Sequence, residues 1–179
     1  MSVKPNTVTD KCSLIRQYSD VFSTGSLGKL HGIQSLKVDP TVTPVVMPAH
    51  RVPIALREPL KEKVNELVSL NVLCPVEEPT PWVNQMVTVR KPNGDIRAGL
   101  DPRSLNKAIQ SERFQLPTLE DVLHNVSLGK VLSKVDVSNA YWHCELDYES
   151  SLLTTMQTPY GRYRWSRLPF GLSVSSEIF

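Results

Sequence analysis

The chain has 179 residues, of which 40% are hydrophobic and 21% are charged. These are ordinary values for a globular domain, and they exclude wholesale disorder. Twenty lysines and arginines against 18 aspartates and glutamates give a formal net charge of +2, which permits nucleic-acid binding without indicating it. Because the sequence shows neither a signal-peptide pattern nor an apolar run of membrane-spanning length, we expect no membrane partner and an intracellular protein, cytoplasmic or nuclear.

The first third of the chain is predicted to lead from an irregular segment into a long helix. Residues 1–32 are polar and irregular apart from a short amphipathic stretch, and we assign them to a linker. Residues 33–54 contain four prolines, which favours an extended edge segment. Residues 55–72 carry a one-sided apolar stripe typical of a helix, and Pro59 places the start of the regular helix near Arg57.

The middle of the chain predicts a β-hairpin with cations on it. Residues 83–90 and 95–100 form its two strands, and Lys91-Pro92-Asn93-Gly94 is its turn, because Asn and Gly tolerate positive φ. Lys91 at the tip and Arg97 on the return strand can clasp a polyphosphate, since Arg offers two parallel hydrogen bonds and Lys a point charge. Solvated surface charges are the alternative interpretation.

A second helix and a run of short strands complete the pattern. Residues 119–128 predict a helix with Thr118 as its N-cap, Asp121 three residues later and Gly129 as its stop. Strands are predicted near 130–137, 142–147 and 152–158, with a further hairpin arm at 162–168 that leads through a loop to a final helix. This order predicts an α+β fold with a mainly antiparallel sheet.

Asp136 ends the first of these strands, in Lys134-Val135-Asp136-Val137-Ser138-Asn139-Ala140-Tyr141-Trp142. A carboxylate at the end of a strand can face a cleft and bind a divalent cation, as phosphoryl transfer requires. An aspartate in this position serves equally well as a turn or capping residue. Tyr141, five residues later, equally suits an ordinary core.

Two further motifs follow near the end of the chain. In Leu168-Pro169-Phe170-Gly171-Leu172, Gly171 lets the backbone approach a ligand closely and Phe170 offers a face for stacking, although a buried loop would look the same. Between residues 159 and 168 there are three arginines and no acid, which suits either a nucleic-acid surface or solvated charges. The three cysteines, none in a Cys-x-x-Cys pair, predict free thiols in a reducing compartment.

Taken together, these motifs resemble the reverse transcriptases of Ty3/gypsy-type retrotransposons over about residues 18–179. Leu116-Pro117-Thr118-Leu119-Glu120-Asp121-Val122 and Thr158-Pro159-Tyr160-Gly161-Arg162-Tyr163 also match. The resemblance implies a partial right-hand polymerase, with the fingers and a truncated palm in residues 33–179 and a linker from an upstream pol region in residues 1–32. The family's aromatic-x-Asp-Asp hairpin, which supplies further metal-binding carboxylates, is expected beyond Phe179, because no two of the eight aspartates here are adjacent.

The resemblance also assigns roles to individual residues. Asp136 is expected to be catalytic and to bind Mg²⁺, or Mn²⁺, with the backbone carbonyl of Val137, once the palm is completed. Tyr141 is expected to exclude a 2′-hydroxyl. The residues expected to contact the incoming deoxynucleotide are Lys91, Arg97, Ala140, Tyr141, Phe170 and Gly171. Asp101, Arg103 and Asn106 are expected to form a structural or template-side network.

Two functional hypotheses remain open from the sequence. The first is a fragment of an RNA-directed DNA polymerase that binds dNTP and an RNA or DNA template-primer, and that is inactive without downstream palm, thumb and RNase H segments. The second is a truncated or domesticated module that binds nucleic acid or protein without catalysis; a gene fragment with no function of its own cannot be separated from it. Ala98-Gly99 and Ser175-Ser176 depart from the family's usual residues, which are bulkier apolar residues or Cys at the first pair and a small residue followed by Pro at the second.

Overall fold

The computed structural model describes residues 10–22, 27–92, 94–111, 117–126 and 134–179. Its strands are β1 (Ile33–Gln34), β2 (Leu73–Pro75), β3 (Asn84–Arg90), β4 (Ile96–Asp101), β5 (Glu145–Leu146), β6 (Met156–Thr158) and β7 (Gly161–Trp165). Its helices are α1 (Lys11–Gln17), α2 (Ile54–Ser69), α3 (Leu119–Val126), α4 (Tyr148–Leu153) and α5 (Ser175–Ile178), with 3-10 turns at Leu105–Lys107 and Ala140–His143.

Five strands form the main sheet in the order β2-β7-β6-β3-β4, and every neighbouring pair is antiparallel except β3 and β6. β1 and β5 form a separate parallel pair. Helices packed around a mainly antiparallel sheet confirm the predicted α+β class. In the described part of the chain, none of the helices has the length and apolar character needed to cross a membrane.

The predicted hairpin is the longest strand pair, and β3 and β4 begin and end within one residue of the predicted bounds. Side chains alternate between two faces. One face carries Met86, Ala98 and Leu100, which are buried, and α2 packs on β4. The other face carries Val87 and Val89, which are exposed. The hairpin therefore joins the core on one side and leaves its second side open to the cleft described below.

Helix α2 begins earlier than predicted. It starts at Ile54 and contains Pro59 in its second turn, so the predicted start near Arg57 is wrong. Pro59 has no N–H to donate to the carbonyl of Ala55, a loss that costs roughly 3 kcal/mol in a helix interior. The apolar stripe outweighs this, because Leu60, Val64 and Leu67 are almost fully buried and each contributes about 1.5–3 kcal/mol.

Helix α3 confirms the predicted capping pattern. The Asp121 carboxylate accepts hydrogen bonds from the Thr118 backbone N–H at 2.8 Å and from its hydroxyl at 2.7 Å. The Thr118 hydroxyl in turn accepts from the Asp121 N–H at 3.3 Å. These hydrogen bonds, led by the Thr118 hydroxyl, lower the pKa of Asp121. The predicted stop at Gly129 lies outside the described residues.

Three of the later strand predictions are wrong in part. Residues 134–137 are in neither a helix nor a strand, since nothing in the described part of the chain pairs with them, and residues 130–133 lie outside it. Residues 142–147 contain the end of a 3-10 turn and only the short strand β5. The predicted strand 152–158 starts inside α4, because the Asp147 carboxylate accepts from the Ser150 N–H at 2.6 Å and begins a helix there.

Candidate functional site

The cleft side of the β3–β4 hairpin presents Arg97, Gly99 and Asp101. These residues lie directly opposite Val89, Val87 and Gln85 in the strand register, and opposite residues of an antiparallel pair share a face. At the tip, the Gly94 N–H donates to the Lys91 carbonyl at 2.9 Å, and Gly94 has φ +92°, which glycine adopts without strain. Lys91 is exposed there, and Asn93 lies outside the described residues.

Arg97 meets an aromatic cluster across the cleft. Its guanidinium carbon lies 4.6 Å from the centroid of the Phe170 ring, a cation–π contact. The Tyr141 ring lies 4.9 Å from Phe170 and 5.8 Å from Phe179, centroid to centroid. The Tyr141 hydroxyl is 2.8 Å from the Ser176 hydroxyl, so its ring is held at both ends. The structure thus brings together three of the predicted nucleotide contacts, Arg97, Tyr141 and Phe170.

The turn that carries Ala140 and Tyr141 depends on a residue that the sequence analysis did not single out. Asn139 has φ +52°, in the left-handed region that Asn tolerates better than most residues. Its carbonyl accepts from the Trp142 N–H at 2.8 Å and starts the 3-10 turn Ala140–His143. The sequence did contain a signal for this turn, because Asn in a run of small polar residues is typical of a left-handed backbone conformation.

Gly171 is required by a contact within the chain. Its φ is +100°, and a Cβ built on it would lie 3.3 Å from Cδ of Pro102. The Asn106 amide donates to the Gly171 carbonyl at 2.9 Å and its oxygen accepts from the Ser173 N–H at 3.0 Å. Asn106 therefore fixes the loop that carries Phe170. The close approach predicted for a ligand is made here to Pro102, and contact between Gly171 and a nucleotide stays a prediction.

Asp101 and Arg103 form a two-pronged ion pair. The Arg103 Nε lies 2.9 Å from Oδ1 of Asp101, and its Nη2 lies 2.7 Å from Oδ2. The hydrogen bond from this guanidinium is the main reason that the pKa of Asp101 is lowered, and the same bond raises the pKa of Arg103. The Asp101 carboxylate is consequently ionised, and the Arg103 guanidinium balances its charge. Asn106 binds a different loop, so the three residues predicted as one network form two separate contacts.

Asp136 lies on an exposed segment of the chain. The residue is exposed and lies in a segment without regular secondary structure, as does Val137, so the prediction that a strand delivers it is wrong for residues 134–137. Strands need a hydrogen-bonded neighbour, and none of the described strands pairs with this segment. In the described part of the chain, no three His, Cys, Asp or Glu side chains converge where a metal ion could bind. One carboxylate and one carbonyl do not by themselves make a metal centre.

A cavity of about 350 Å³ lies between the hairpin and the aromatic cluster. Arg97, Asp101, Phe170 and Gly171 line it, which places four predicted site residues around one space. Its volume is at the small end of the range for ligand pockets. The geometry provides a cation, an aromatic face and a hydrogen-bonded loop at a single cleft, and it leaves the cleft open on the side of the exposed Val87 and Val89.

Comparison with known proteins decides the family. The family model for reverse transcriptase, an RNA-dependent DNA polymerase, matches residues 89–179, which is just over half of the chain and includes most of the cleft. The chain belongs to the reverse transcriptase family. Asp101, Tyr141, Phe170 and Gly171 all lie within the matched residues, and so does Arg97.

Reverse transcriptase relatives match over much of the chain but are far longer than it. The Pol polyprotein from transposon 412 of Drosophila melanogaster is 29% identical over 178 residues, which is 93% of this chain and 14% of that protein. The enzymatic polyprotein of cauliflower mosaic virus, strain Strasbourg, is 30% identical over 125 residues, which is 69% of this chain and 18% of that protein. The chain therefore spans less than a fifth of these two relatives.

Solved reverse transcriptase structures share the fold. The native protease–reverse transcriptase of prototype foamy virus superposes with a TM-score of 0.73 at 21% identity, covering 92% of this chain and 22% of that one. The foamy viral protein in complex with an RNA/DNA hybrid gives a TM-score of 0.70 at 20% identity, covering 90% and 22%. The α+β arrangement found here is thus that of a reverse transcriptase polymerase domain, as the motifs predicted.

A basic groove beside the hairpin was missed by the sequence analysis. His50 and Arg51 line two neighbouring cavities of about 800 and 390 Å³. Arg57 lines the larger one, and Arg103 lines the smaller one. The four side chains come from three separate parts of the sequence, so no local run of charge marks the groove. Their meeting follows from the packing of α2 against β4.

The arginines of the second basic segment, residues 159–168, make contacts within the chain, so they are not purely solvated charges, and a nucleic-acid surface there stays a prediction. Arg162 donates to the Glu77 carbonyl at 2.8 Å, and Arg164 donates to the Ser151 hydroxyl at 2.6 Å. Arg167 donates to the Trp142 carbonyl at 3.3 Å and pairs with Glu145 at 3.2 Å. All three guanidinium groups thus bind other parts of the chain.

Proposed function

We propose that the chain is the fingers and part of the palm of a Ty3/gypsy-type reverse transcriptase, and that its cleft binds a deoxynucleotide and a template-primer. The observation that carries this proposal is the contact between Arg97 of the hairpin and Phe170 of the palm loop, with Tyr141 beside it. A cation and two aromatic faces at one cleft suit a ligand with phosphates at one end and a base and sugar at the other.

Within this proposal, each group has a distinct task. Arg97 and the exposed Lys91 bind the triphosphate, and the Tyr141 ring packs under the sugar. Phe170 packs beside the base, and the Ala140 backbone borders the sugar. The Asp101–Arg103 pair keeps the Arg103 guanidinium at the template side of the hairpin. These assignments rest on the family membership, on the placement of Arg97, Asp101 and Phe170 around one cavity and on the contact of Tyr141 with Phe170.

Metal binding is proposed only for a longer polypeptide. Asp136 and the Val137 carbonyl would contribute to an Mg²⁺ or Mn²⁺ site, and the cation would neutralise the charge that develops on the phosphates. We propose that further carboxylates come from a downstream palm segment, since the described residues hold no cluster of three His, Cys, Asp or Glu side chains that could bind a metal ion. The downstream palm, thumb and RNase H segments are the proposed partners, and residues 1–32 are the proposed link to an upstream pol region.

Two observations support the proposed binding of template-primer. The foamy viral relative of this fold is described in complex with double-stranded DNA and with an RNA/DNA hybrid. The basic groove of His50, Arg51, Arg57 and Arg103 offers cationic side chains beside the hairpin, of which Arg103 is already paired with Asp101. We propose that a nucleic-acid strand runs past the hairpin along this groove. The domesticated, non-catalytic module remains the alternative, and the same groove would serve it.

Fluorescence anisotropy with a labelled RNA/DNA hybrid tests the binding. The dissociation constant is expected to rise steeply between 50 and 200 mM salt, because each phosphate contact releases counterions, with a log–log slope of roughly −0.7 to −0.9 per contact. Arg51→Ala should flatten this slope. Arg16→Ala, on the exposed face of α1, is the matched control and should leave it unchanged. Absence of binding at the lowest salt would sink the proposal.

A primer-extension assay distinguishes the polymerase proposal from the non-catalytic binding module. The purified chain, given an RNA template, a DNA primer, dNTPs and Mg²⁺ or Mn²⁺, is expected to yield no product. A polypeptide extended to include an aromatic-x-Asp-Asp hairpin should yield product that Asp136→Asn abolishes. Product from the 179-residue chain that depends on Asp136 would show that its own side chains complete the metal site.

A further inference from the structure

We infer that Ser176 is a positioning residue that sets how strongly the cleft prefers a deoxyribose to a ribose. Its hydroxyl lies 2.8 Å from the Tyr141 hydroxyl, at the tip of the ring that the proposed function places under the sugar. This role rests on that proposed function and adds to it a residue outside the predicted nucleotide contacts.

The Tyr141 ring is held by two kinds of contact. Phe170 packs against it at 4.9 Å with the ring planes at 52°, and Phe179 meets it edge-on at 5.8 Å. Aromatic pairs tolerate a range of distances and angles, whereas a hydrogen bond is directional. The hydroxyl is also the atom of a tyrosine side chain that lies farthest from the backbone. A hydrogen bond at this atom therefore restrains movement of the whole ring.

The short helix that carries Ser176 is anchored on both sides of it. The buried Ser175 hydroxyl donates to the Pro169 carbonyl at 3.0 Å. The Glu177 carboxylate accepts from the Ser111 hydroxyl at 2.8 Å. Because its two neighbours are bound in this way, Ser176 holds its hydroxyl in a fixed place. A tyrosine ring that moved aside would lose the hydrogen bond instead of taking Ser176 with it.

The residue at position 176 is one of the departures from the family pattern noted in the sequence. The family's usual residue there is proline, which has no hydroxyl and cannot make a side-chain hydrogen bond. The bond between Ser176 and Tyr141 is therefore a feature that this chain has and that a relative with proline at this position lacks.

The hydrogen bond has a calculable effect on sugar preference. A 2′-hydroxyl over the Tyr141 ring forces the ring aside and so breaks the bond, whereas a deoxyribose leaves the bond intact. The net contribution of one such bond corresponds to roughly a twofold to tenfold change in a dissociation constant. Loss of the Ser176 hydroxyl should therefore tighten ribonucleotide binding by this factor and leave deoxynucleotide binding nearly unchanged.

The test compares dATP with ATP, which differ only in the 2′-hydroxyl, by competition with a fluorescently labelled dNTP. The ratio of dissociation constants, ATP over dATP, is expected to fall roughly twofold to tenfold in Ser176→Ala. Ser176→Thr restores a hydroxyl and should restore the ratio. Ser69→Ala is the matched control, because it removes an exposed hydroxyl that donates to the Glu66 carbonyl at 2.7 Å on α2, and it should keep the parent ratio.

A double-variant cycle shows whether Ser176 acts through Tyr141. Tyr141→Phe keeps the ring and removes the other half of the hydrogen bond, so it should lower the ratio as much as Ser176→Ala does. The double variant should lower it no further, because the two single changes break the same bond. Effects that add in the double variant would show that Ser176 acts by another route and would overturn the inference.

A second measurement needs no nucleotide. In a chain labelled with ¹³C at tyrosine Cζ, the Tyr141 resonance, assigned with Tyr141→Phe, should shift in Ser176→Ala and return in Ser176→Thr, since Cζ carries the hydroxyl. The other four tyrosine resonances should stay in place and so show that each variant is folded. An unchanged Tyr141 resonance in Ser176→Ala would overturn the inference.

The outcomes separate this role from the proposed function. A parent chain that binds dATP but shows no preference over ATP, or a preference that Ser176→Ala leaves unchanged, would overturn the role of Ser176 alone. A parent chain that binds neither nucleotide would contradict the proposed function, and the role of Ser176 with it. Should Ser176→Ala fail to fold, Tyr141→Phe still decides, since an unchanged ratio in that variant excludes the hydrogen bond as the cause of the preference.

Discussion

The two hairpins of the sheet carry similar charge and use it in opposite ways. On β3–β4, Arg97 takes part in none of the ion pairs found in the described part of the chain and lies over Phe170 at the cleft. On and beside β6–β7, Arg164 is held by the Ser151 hydroxyl and by the Tyr148 ring at 4.8 Å, and Arg167 is held by Glu145. The first hairpin holds its cation over an aromatic ring at the cleft, and the second binds its cations to polar groups within the fold.

The difference shows that a local count of arginines does not identify a binding surface. A guanidinium that donates to a carbonyl or hydroxyl of the chain is held in place by that contact, even though some of its five N–H donors stay free. We propose that the same charge supports ligand binding in one hairpin and stability in the other. Substitutions at matched positions should separate these two roles.

Arg167→Ala should produce the largest loss of stability. The Arg167 side chain is only 13% exposed, and its removal leaves the Glu145 carboxylate and the Trp142 carbonyl without this partner. We expect the free energy of unfolding to fall by about 2–3 kcal/mol, as for other half-buried, charge-assisted contacts. Urea denaturation followed by tryptophan fluorescence measures it. Arg90→Ala, exposed on the first hairpin, should change it by less than about 0.5 kcal/mol. Equal losses of unfolding free energy in Arg167→Ala and Arg90→Ala would show that the two hairpins do not differ in this way.

Gly171→Ala should be next in size, with Gly94→Ala as its matched control. Both glycines have positive φ, +100° and +92°, and either substitution forces alanine into a strained backbone at roughly 1–2 kcal/mol. Only at Gly171 would the new Cβ also press on Pro102, at 3.3 Å. We expect Gly171→Ala to destabilise the chain by about 1 kcal/mol more than Gly94→Ala in the same urea experiment. Equal losses of unfolding free energy in the two variants would mean that the loop shifts enough to relieve the contact with Pro102.

Arg97→Ala should weaken binding of a deoxynucleoside triphosphate about tenfold, which is about 1.4 kcal/mol, because it removes one charge-assisted contact. Arg164→Ala, the matched change on the second hairpin, should alter the dissociation constant less than twofold, since Arg164 is engaged by Ser151. Both are measured by anisotropy of a fluorescently labelled dNTP at one fixed salt concentration. The reverse order of effects would assign the nucleotide site to the second hairpin.

The parts that could be predicted from the sequence are those that depend on near neighbours. Alternation in β3 and β4 and the residues of their turn located the hairpin within one residue. The Thr118 and Asp121 pair located the start of α3. The order of motifs identified the polymerase fold. In the hairpin and in α3, the turn or cap that locates the element joins residues only a few positions apart.

The parts that could not be predicted depend on distant partners. Pro59 is tolerated inside α2 because the buried stripe of that helix holds it against the sheet. Arg164 and Arg167 are removed from the surface by residues that are up to 22 positions away in the chain, and the basic groove joins three separate segments. Asp147, interpreted as part of a strand region, instead caps α4, the helix that supplies Ser151 to Arg164.

Asp147→Asn should have the smallest effect, and it should depend on pH. Burial of Asp147 opposes its ionisation, but hydrogen bonds from Ser35 and Ser150 outweigh this and lower its pKa. Because the pKa of Asp147 is lower in the folded chain than in the unfolded chain, where it is roughly 3.9, its ionised form stabilises the fold at pH values above 3.9. This stabilisation is lost as the pH falls through the pKa of the folded chain. We therefore expect Asp147→Asn to be less stable than the parent chain by up to about 1 kcal/mol at pH 7 and nearly equal to it near pH 2.

Urea denaturation at several pH values between 7 and 2 measures this difference, and Asp136→Asn is the matched control. Asp136 is exposed and lies outside any helix or strand, so its substitution should not change the unfolding free energy at either pH. The two aspartates then extend the contrast between the hairpins, because one is bound inside the fold and the other is exposed. A pH-dependent effect at Asp136 equal to that at Asp147 would show that residue 136 is already engaged within the folded chain.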